Sequence, residues 1–216
     1  MILRLNDVLD EIKPKKYGEL SPDRFTRCKE HYINRFVDAR LQFETQLHCI
    51  VDWFVKRCLF ETDVRKEEET FSPPPDRGLY ISGSTGTGKT TSIKLLAART
   101  KSTPDYFYFS VPQIAEEYGA DGEEFYTEFR KENNKRTVIL DDLGAEREIR
   151  RFGNTSIIPD LLTWRYDCFK RNGIPTIVIS NLLPSELKER YGERNASRFA
   201  EMMQLMPITG KDKRIK

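Results

Sequence analysis

The stretch Leu79-Tyr80-Ile81-Ser82-Gly83-Ser84-Thr85-Gly86-Thr87-Gly88-Lys89-Thr90-Thr91 settles the architecture of this 216-residue chain. A short apolar run, long enough for one strand, gives way to G-x-x-x-x-G-K-[ST], and Thr91 to Arg99 then reads as a helix. Gly83, Gly86 and Gly88 permit turns that a Cβ would block. Successive N–H groups can then converge on phosphate oxygens, and the start of the helix adds its positive end. This reading makes Gly83, Ser84, Thr85, Gly86, Thr87, Gly88, Lys89, Thr90 and Thr91 the cofactor-binding set. Lys89 is expected on the β- and γ-phosphates of ATP, and the Thr90 hydroxyl on Mg²⁺.

The same strand-then-helix pattern continues along the chain. Tyr106–Phe109, Thr137–Leu140 and Thr176–Ile179 read as strands; Glu123–Asn133 and Ile157–Arg171 read as helices. Such alternation predicts an α/β fold, a parallel sheet with helices on both faces and right-handed crossovers. Thr137–Leu140 runs into Asp141-Asp142. Carboxylates at the C-terminal end of a parallel strand face the crevice where such sheets bind ligands. Asp141 is expected to hold Mg²⁺, and Asp142 to polarise an attacking water as general base. Thr176–Ile179 ends in Ser180-Asn181, where Asn181 is placed to orient the water or the γ-phosphate.

Before residue 76 the pattern is helical. Leu3, Leu5, Val8, Leu9 and Ile12 form an amphipathic stretch ended by Pro14. Ser21-Pro22 reads as a helix start, followed by three- and four-residue apolar steps from Ile33 to Val55. A charged run then leads to Pro73-Pro74-Pro75, an extended spacer. The predicted organisation is a helical partner-binding region over 1–62, a charged Pro-rich linker over 63–76 and an ATPase domain over 77–216. The 36 Lys and Arg nearly balance the 34 Asp and Glu. That excludes a strongly charged disordered chain and a broadly basic nucleic-acid binder. No apolar run approaches the roughly 20 residues of a membrane span, and the N-terminus lacks a signal-peptide pattern. Cys28, Cys49, Cys58 and Cys168 show no metal-binding spacing, and the three in the helical stretch, Cys28, Cys49 and Cys58, read as buried free thiols. A cytoplasmic location is expected.

The run Leu140-Asp141-Asp142-Leu143-Gly144-Ala145-Glu146, together with the phosphate loop, resembles AAA+ ATPases of the DnaC/IstB family, which holds helicase loaders and transposition helpers. The resemblance covers residues 77–216. Glu193-Arg194-Asn195-Ala196-Ser197-Arg198-Phe199 resembles the family's segment with its arginine finger, with Arg198 at the finger position and Arg194 one turn earlier. Gly210-Lys211-Asp212-Lys213-Arg214 resembles its closing segment. The resemblance implies an AAA+ core, ATP and Mg²⁺ as cofactors, a homo-oligomer in which the finger serves a neighbour's nucleotide, and ATP hydrolysis stimulated by DNA or partner. The implied role is loading a replicative helicase, with single-stranded DNA as a second partner; the alternative is assisting a transposase. Too few residues follow Arg198 for a full C-terminal lid. Candidate DNA contacts are Lys131, Lys135 and Arg136; Arg147, Arg150, Arg151 and Phe152; and Lys211, Lys213, Arg214 and Lys216. A stand-alone kinase-type enzyme and a nucleotide-gated binding module remain competing readings. No N-K-x-D run supports a GTPase, since Asn134-Lys135-Arg136-Thr137 lacks the Asp.

Overall fold

The computed structural model describes residues 22–39, 45–66, 77–98, 105–147 and 157–213. The helix expected over residues 3–12, the Ser21 cap, the proline spacer, Arg150, Arg151, Phe152, Arg214 and Lys216 lie outside these residues. Helix α1 (Pro22–Asp38) is followed by a 3₁₀ turn (Thr45–Leu47) and α2 (His48–Lys66). Then come β1 (Gly78–Ser82), α3 (Lys89–Ala97), β2 (Tyr106–Ser110), α4 (Val111–Asp121), α5 (Glu123–Asn133) and β3 (Thr137–Leu143). The rest is α6 (Ile158–Asn172), β4 (Thr176–Ser180), α7 (Pro184–Tyr191), α8 (Glu193–Met202) and β5 (Met203–Pro207). The strands form one parallel sheet in the order β2-β3-β4-β1-β5.

Burial follows position in the sheet. Every residue of β1 and β4 is buried, as befits central strands covered on both faces. The edge strand β2 is half-exposed, and its alternating aromatics serve opposite sides. Tyr106 packs on Phe54 and Phe109 on Phe129, with centroids 5.1 and 4.9 Å apart. On one face, Leu79, Ile81, Ile139, Ile177 and Ile179 pack with α1, α2 and α3. On the other, Tyr80, Val138, Leu140 and Val178 pack with α4 to α8.

The helices before residue 76 therefore share a core with the parallel sheet. Arg35 of α1 strengthens the junction by donating to the carbonyls of Leu95, Leu96 and Ala98 at the end of α3, at 3.2, 2.7 and 3.1 Å. A cation there also suits the negative end of the helix dipole. At the amino ends of the strands, Arg165 is fully buried. It donates to Thr176 Oγ1 and to the carbonyls of Asn133, Arg136 and Pro175. Burial pulls its pKa down to about 10.

Two expectations change. Cys28 is half-buried and Cys49 exposed, so only Cys58 and Cys168 are buried thiols; none of the four is in a disulfide. The helix α4 and the strand β5, neither expected from the sequence, complete the fold. Val111-Pro112 opens α4 directly from β2, since proline is tolerated in a first helical turn. Among the described residues no helix is long and apolar enough to cross a membrane.

Candidate functional site

The sheet order places β1 between β4 and β5, with β3 beyond β4. The loops after β1, β3 and β4 therefore gather at one end of the sheet. The phosphate loop leaves β1 at Gly83, and α3 begins at Lys89. Gly88 caps that helix in the left-handed region at φ 91°, and no side chain caps its first turn. The N–H groups opening α3 are thus not taken up by a side-chain cap. Lys89 is buried and donates from Nζ to Gly83 O at 2.7 Å, Ser84 O at 2.8 Å and Asn181 Oδ1 at 2.8 Å. Thr87 turns inward and donates to Ser84 O at 2.9 Å. Ser84, Thr85 and Thr91 are exposed.

Thr90 Oγ1 lies 3.1 Å from Asp141 Oδ1. Asp141 is 1% exposed and also accepts from the Asp142 N–H at 2.9 Å. Its other oxygen, Oδ2, accepts from the Tyr108 hydroxyl. Burial first, and then this carboxylate, push the phenol's pKa above its ordinary range, so it stays a donor. A hydroxyl beside a carboxylate is a hard-oxygen pair suited to Mg²⁺, which takes few protein ligands and completes its shell with phosphate oxygens and water. Among the described residues no group of three or more His, Cys, Asp or Glu could hold a metal. The oxygen pair and the glycine loop thus fit a magnesium-bound nucleotide better than a metal caged by protein.

Asp142 is exposed, with φ 57°, the positive value found among the described non-glycine residues. The pairing of β3 with β4 slips between Leu140 and Leu143. A bulge of this kind re-aims side chains, here separating buried Asp141 from exposed Asp142. Glu146, four residues on, is buried and fixes the turn. It accepts from the Gly144 N–H at 2.8 Å, the Tyr191 hydroxyl at 2.7 Å and Arg190 Nε at 3.1 Å. Burial and the hydrogen bond to Glu146 raise the Tyr191 pKa. Ser180 ties the same turn to β4 by donating to Leu143 O at 2.6 Å.

Residues after β5 line the phosphate loop. Ile208 N–H donates to Ser82 O at 2.8 Å and Lys213 N–H to Gly86 O at 2.9 Å. A Cβ on Gly86, whose φ is 78°, would stand 1.8 Å from Asp212 Oδ1. Gln46 joins this strap to the helical layer, donating to Thr209 O at 2.8 Å and accepting from Thr209 N–H at 2.9 Å.

The structure thus brings together the loop, Asp141, Asp142 and Asn181. Arg194 and Arg198 stand apart on α8. Arg198 is half-buried, with Nη1 2.6 Å from Thr163 Oγ1 and its guanidinium 5.0 Å from the Tyr166 ring centroid; Arg194 is exposed. Lys131, Lys135 and Arg136 precede β3, at the opposite end of the sheet, and Arg136 stacks on Phe107 at 4.2 Å. Arg147 follows β3 at the nucleotide end. Tyr108 was not singled out by sequence, and Glu146 and residues 210–213 entered it only within the resemblance, with no role at this site. An aromatic edge strand in register with β3 is the signal that could have pointed to Tyr108.

Comparison with known proteins agrees with this geometry. Residues 79–205 match the ATPase family associated with various cellular activities (AAA). Among curated proteins, none matches the chain. The DnaC helicase loader is 20% identical, with TM-score 0.50 over 83% of this chain and 99% of that one. A putative primosome component from Streptococcus pyogenes serotype M3 is 19% identical, with TM-score 0.50 over 72% and 78%. A DNA replication initiation factor is 16% identical, with TM-score 0.53 over 79% and 48%. At these identities the likeness is one of fold. With the family match spanning most of the sheet, the phosphate loop and the acidic strand end, the chain belongs to the AAA family of ATPases.

Proposed function

We propose that this chain binds and hydrolyses ATP with Mg²⁺ and uses that cycle in DNA replication, as a helicase-loader-like factor that also binds single-stranded DNA. The observation that carries the ATPase part is the Thr90–Asp141 oxygen pair at 3.1 Å, beside Lys89 and Asn181 joined at 2.8 Å. Bound there, magnesium-ATP supplies an activated γ-phosphoryl group for transfer to water. Lys89 exchanges its carbonyl partners for phosphate oxygens, and the N–H groups from Gly83 to Thr90 hold the remaining phosphate charge. Thr90 and Asp141 position the ion. Asp142, carried outward by the bulge, orients and deprotonates the attacking water, while Asn181 holds Lys89 and the γ-phosphate side of the crevice. Arg198, anchored by Thr163, and the exposed Arg194 serve the site of a neighbouring copy, where a finger is worth roughly 10³–10⁵ in rate.

The setting in replication is supported by the Asp-Asp-Leu-Gly run and by fold likeness to a helicase loader and a replication initiation factor. Residues 1–62 are assigned to partner contact. Because α1 and α2 pack on the sheet, they would carry partner contact on their outward faces. Arg147, Lys211 and Lys213 are the described candidates for DNA contact at the nucleotide end.

Calorimetry on Lys89→Ala tests the site: nucleotide affinity should fall at least a hundred-fold, and retained affinity would refute the loop reading. Mixing Lys89→Ala with Arg198→Ala should restore turnover that neither shows alone; silent mixtures that still assemble would refute a shared site. Capture from source-cell lysate with Asp142→Asn in ATP and Mg²⁺ tests the partner. Recovery of a replicative helicase supports the loader reading, and recovery of a transposase overturns it.

A further inference from the structure

We propose that Tyr108 is a positioning residue for the magnesium site: its hydroxyl fixes which oxygen of Asp141 faces Thr90 and the ion. The inference rests on Asp141 being the metal-holding carboxylate. Strand β2 pairs with β3 so that Tyr108 stands beside Ile139 and Ser110 beside Asp141. From two residues below, the long phenol reaches up along the strand to Asp141 Oδ2. The ammonium of Lys94, on the helix that opens at the phosphate loop, sits over the Tyr108 ring, 4.2 Å from its centroid.

A carboxylate rotates about its Cβ–Cγ bond and can exchange its two oxygens. Oδ1 of Asp141 faces Thr90 Oγ1 at 3.1 Å and the Asp142 N–H at 2.9 Å. These are the donors on the side where the ion would sit, and the Thr90 hydroxyl can offer a lone pair to the ion while its O–H still donates to Oδ1. The Tyr108 bond is made to the opposite oxygen and does not compete for that side. It holds the carboxylate plane and satisfies an oxygen that burial has removed from water.

Packing alone does not explain a tyrosine here. Tyr108 is 36% exposed, more than Tyr106, Phe107 or Phe109 on the same strand. A phenylalanine would keep the ring contact with Lys94 and lose only the bond to Asp141. Tyr108→Phe therefore separates positioning from packing.

The experiment follows binding of fluorescent ADP at graded free Mg²⁺, from EDTA upward, with Mn²⁺ titration by electron paramagnetic resonance as a second readout. For Tyr108→Phe, affinity without divalent ion should stay within about two-fold of wild type. The Mg²⁺ midpoint should rise about ten-fold, the equivalent of about 1.4 kcal/mol, and the Mn²⁺ dissociation constant should rise in parallel. Asp141→Asn is the control and should raise the midpoint further. An unchanged or lowered midpoint in Tyr108→Phe, beside a raised one in Asp141→Asn, overturns the role of Tyr108. An unchanged midpoint in Asp141→Asn overturns instead the metal reading beneath it. Should Tyr108→Phe fold poorly by circular dichroism, Tyr108→Trp, which keeps a ring beside Lys94 without the hydroxyl, must show the same rise.

Discussion

Replacing Glu146 should be among the most damaging changes outside the phosphate loop. Its carboxylate, 3% exposed, accepts from Gly144 N–H, the Tyr191 hydroxyl and Arg190 Nε. Glu146→Ala leaves the first two donors buried without that acceptor. Arg190 keeps its 2.7 Å bond to the Glu146 carbonyl, and its side chain is 36% exposed, so water can replace the lost carboxylate. Breaking a buried charged pair costs about 3–5 kcal/mol, and this exposure favours the lower end, about 3 kcal/mol. Glu146→Gln keeps one acceptor but turns an NH₂ toward a donor, for a loss of about 1–2 kcal/mol. In urea, with a slope of about 2 kcal/mol per molar, Glu146→Ala should move the midpoint down by about 1.5 M at constant slope. Turnover should fall as well, because Ala145 N–H bonds the Asp142 carbonyl within the same turn. A loss below about 1 kcal/mol, or equal losses for Ala and Gln, would refute the view that this carboxylate holds the turn.

Arg165→Met should cost about 3 kcal/mol in the same assay, since it strips donors from Thr176 Oγ1 and three carbonyls in a site sealed from water. Gly86→Ala should weaken nucleotide binding and increase hydrogen exchange at residues 208–213, because its Cβ would displace the Asp212 carboxylate and its φ of 78° disfavours a side chain. Asp142→Val should destabilise the chain by about 1–2 kcal/mol through its left-handed backbone, whereas Asp142→Asn should melt with wild type, as read by calorimetry.

The sequence made strands β1 to β4 legible because each is a short apolar run closed by polar residues. The phosphate loop was legible because its chemistry needs fixed spacing. Met203–Pro207 escaped because its alternation is broken: Gln204 and Leu205 are both exposed on an edge strand. Val111–Asp121 escaped because it follows β2 without a loop, and its Val-Pro opening reads as a turn. The composition break near residue 76 suggested a separate helical module. Yet Phe36, Ile50, Val51 and Phe54 pack against β-strand residues distant in sequence, a contact that helical periodicity cannot reveal. The split of Asp141 and Asp142 into buried and exposed carboxylates depends on a bulge, and nothing in two adjacent aspartates announces one.

The pairing of β1 with β5 bears on how the chain is made. Gly78 finds Met203 as its partner, so a ribosome releases the phosphate loop long before the strand that flanks it. Until residues 203–213 emerge, one edge of β1 stays open and Gly86 lacks the strap it is built against. Nascent chains in that interval present an unpaired apolar strand, the kind of surface that chaperones hold and that drives misassembly. Pausing of synthesis between α6 and β5 would lengthen that exposure.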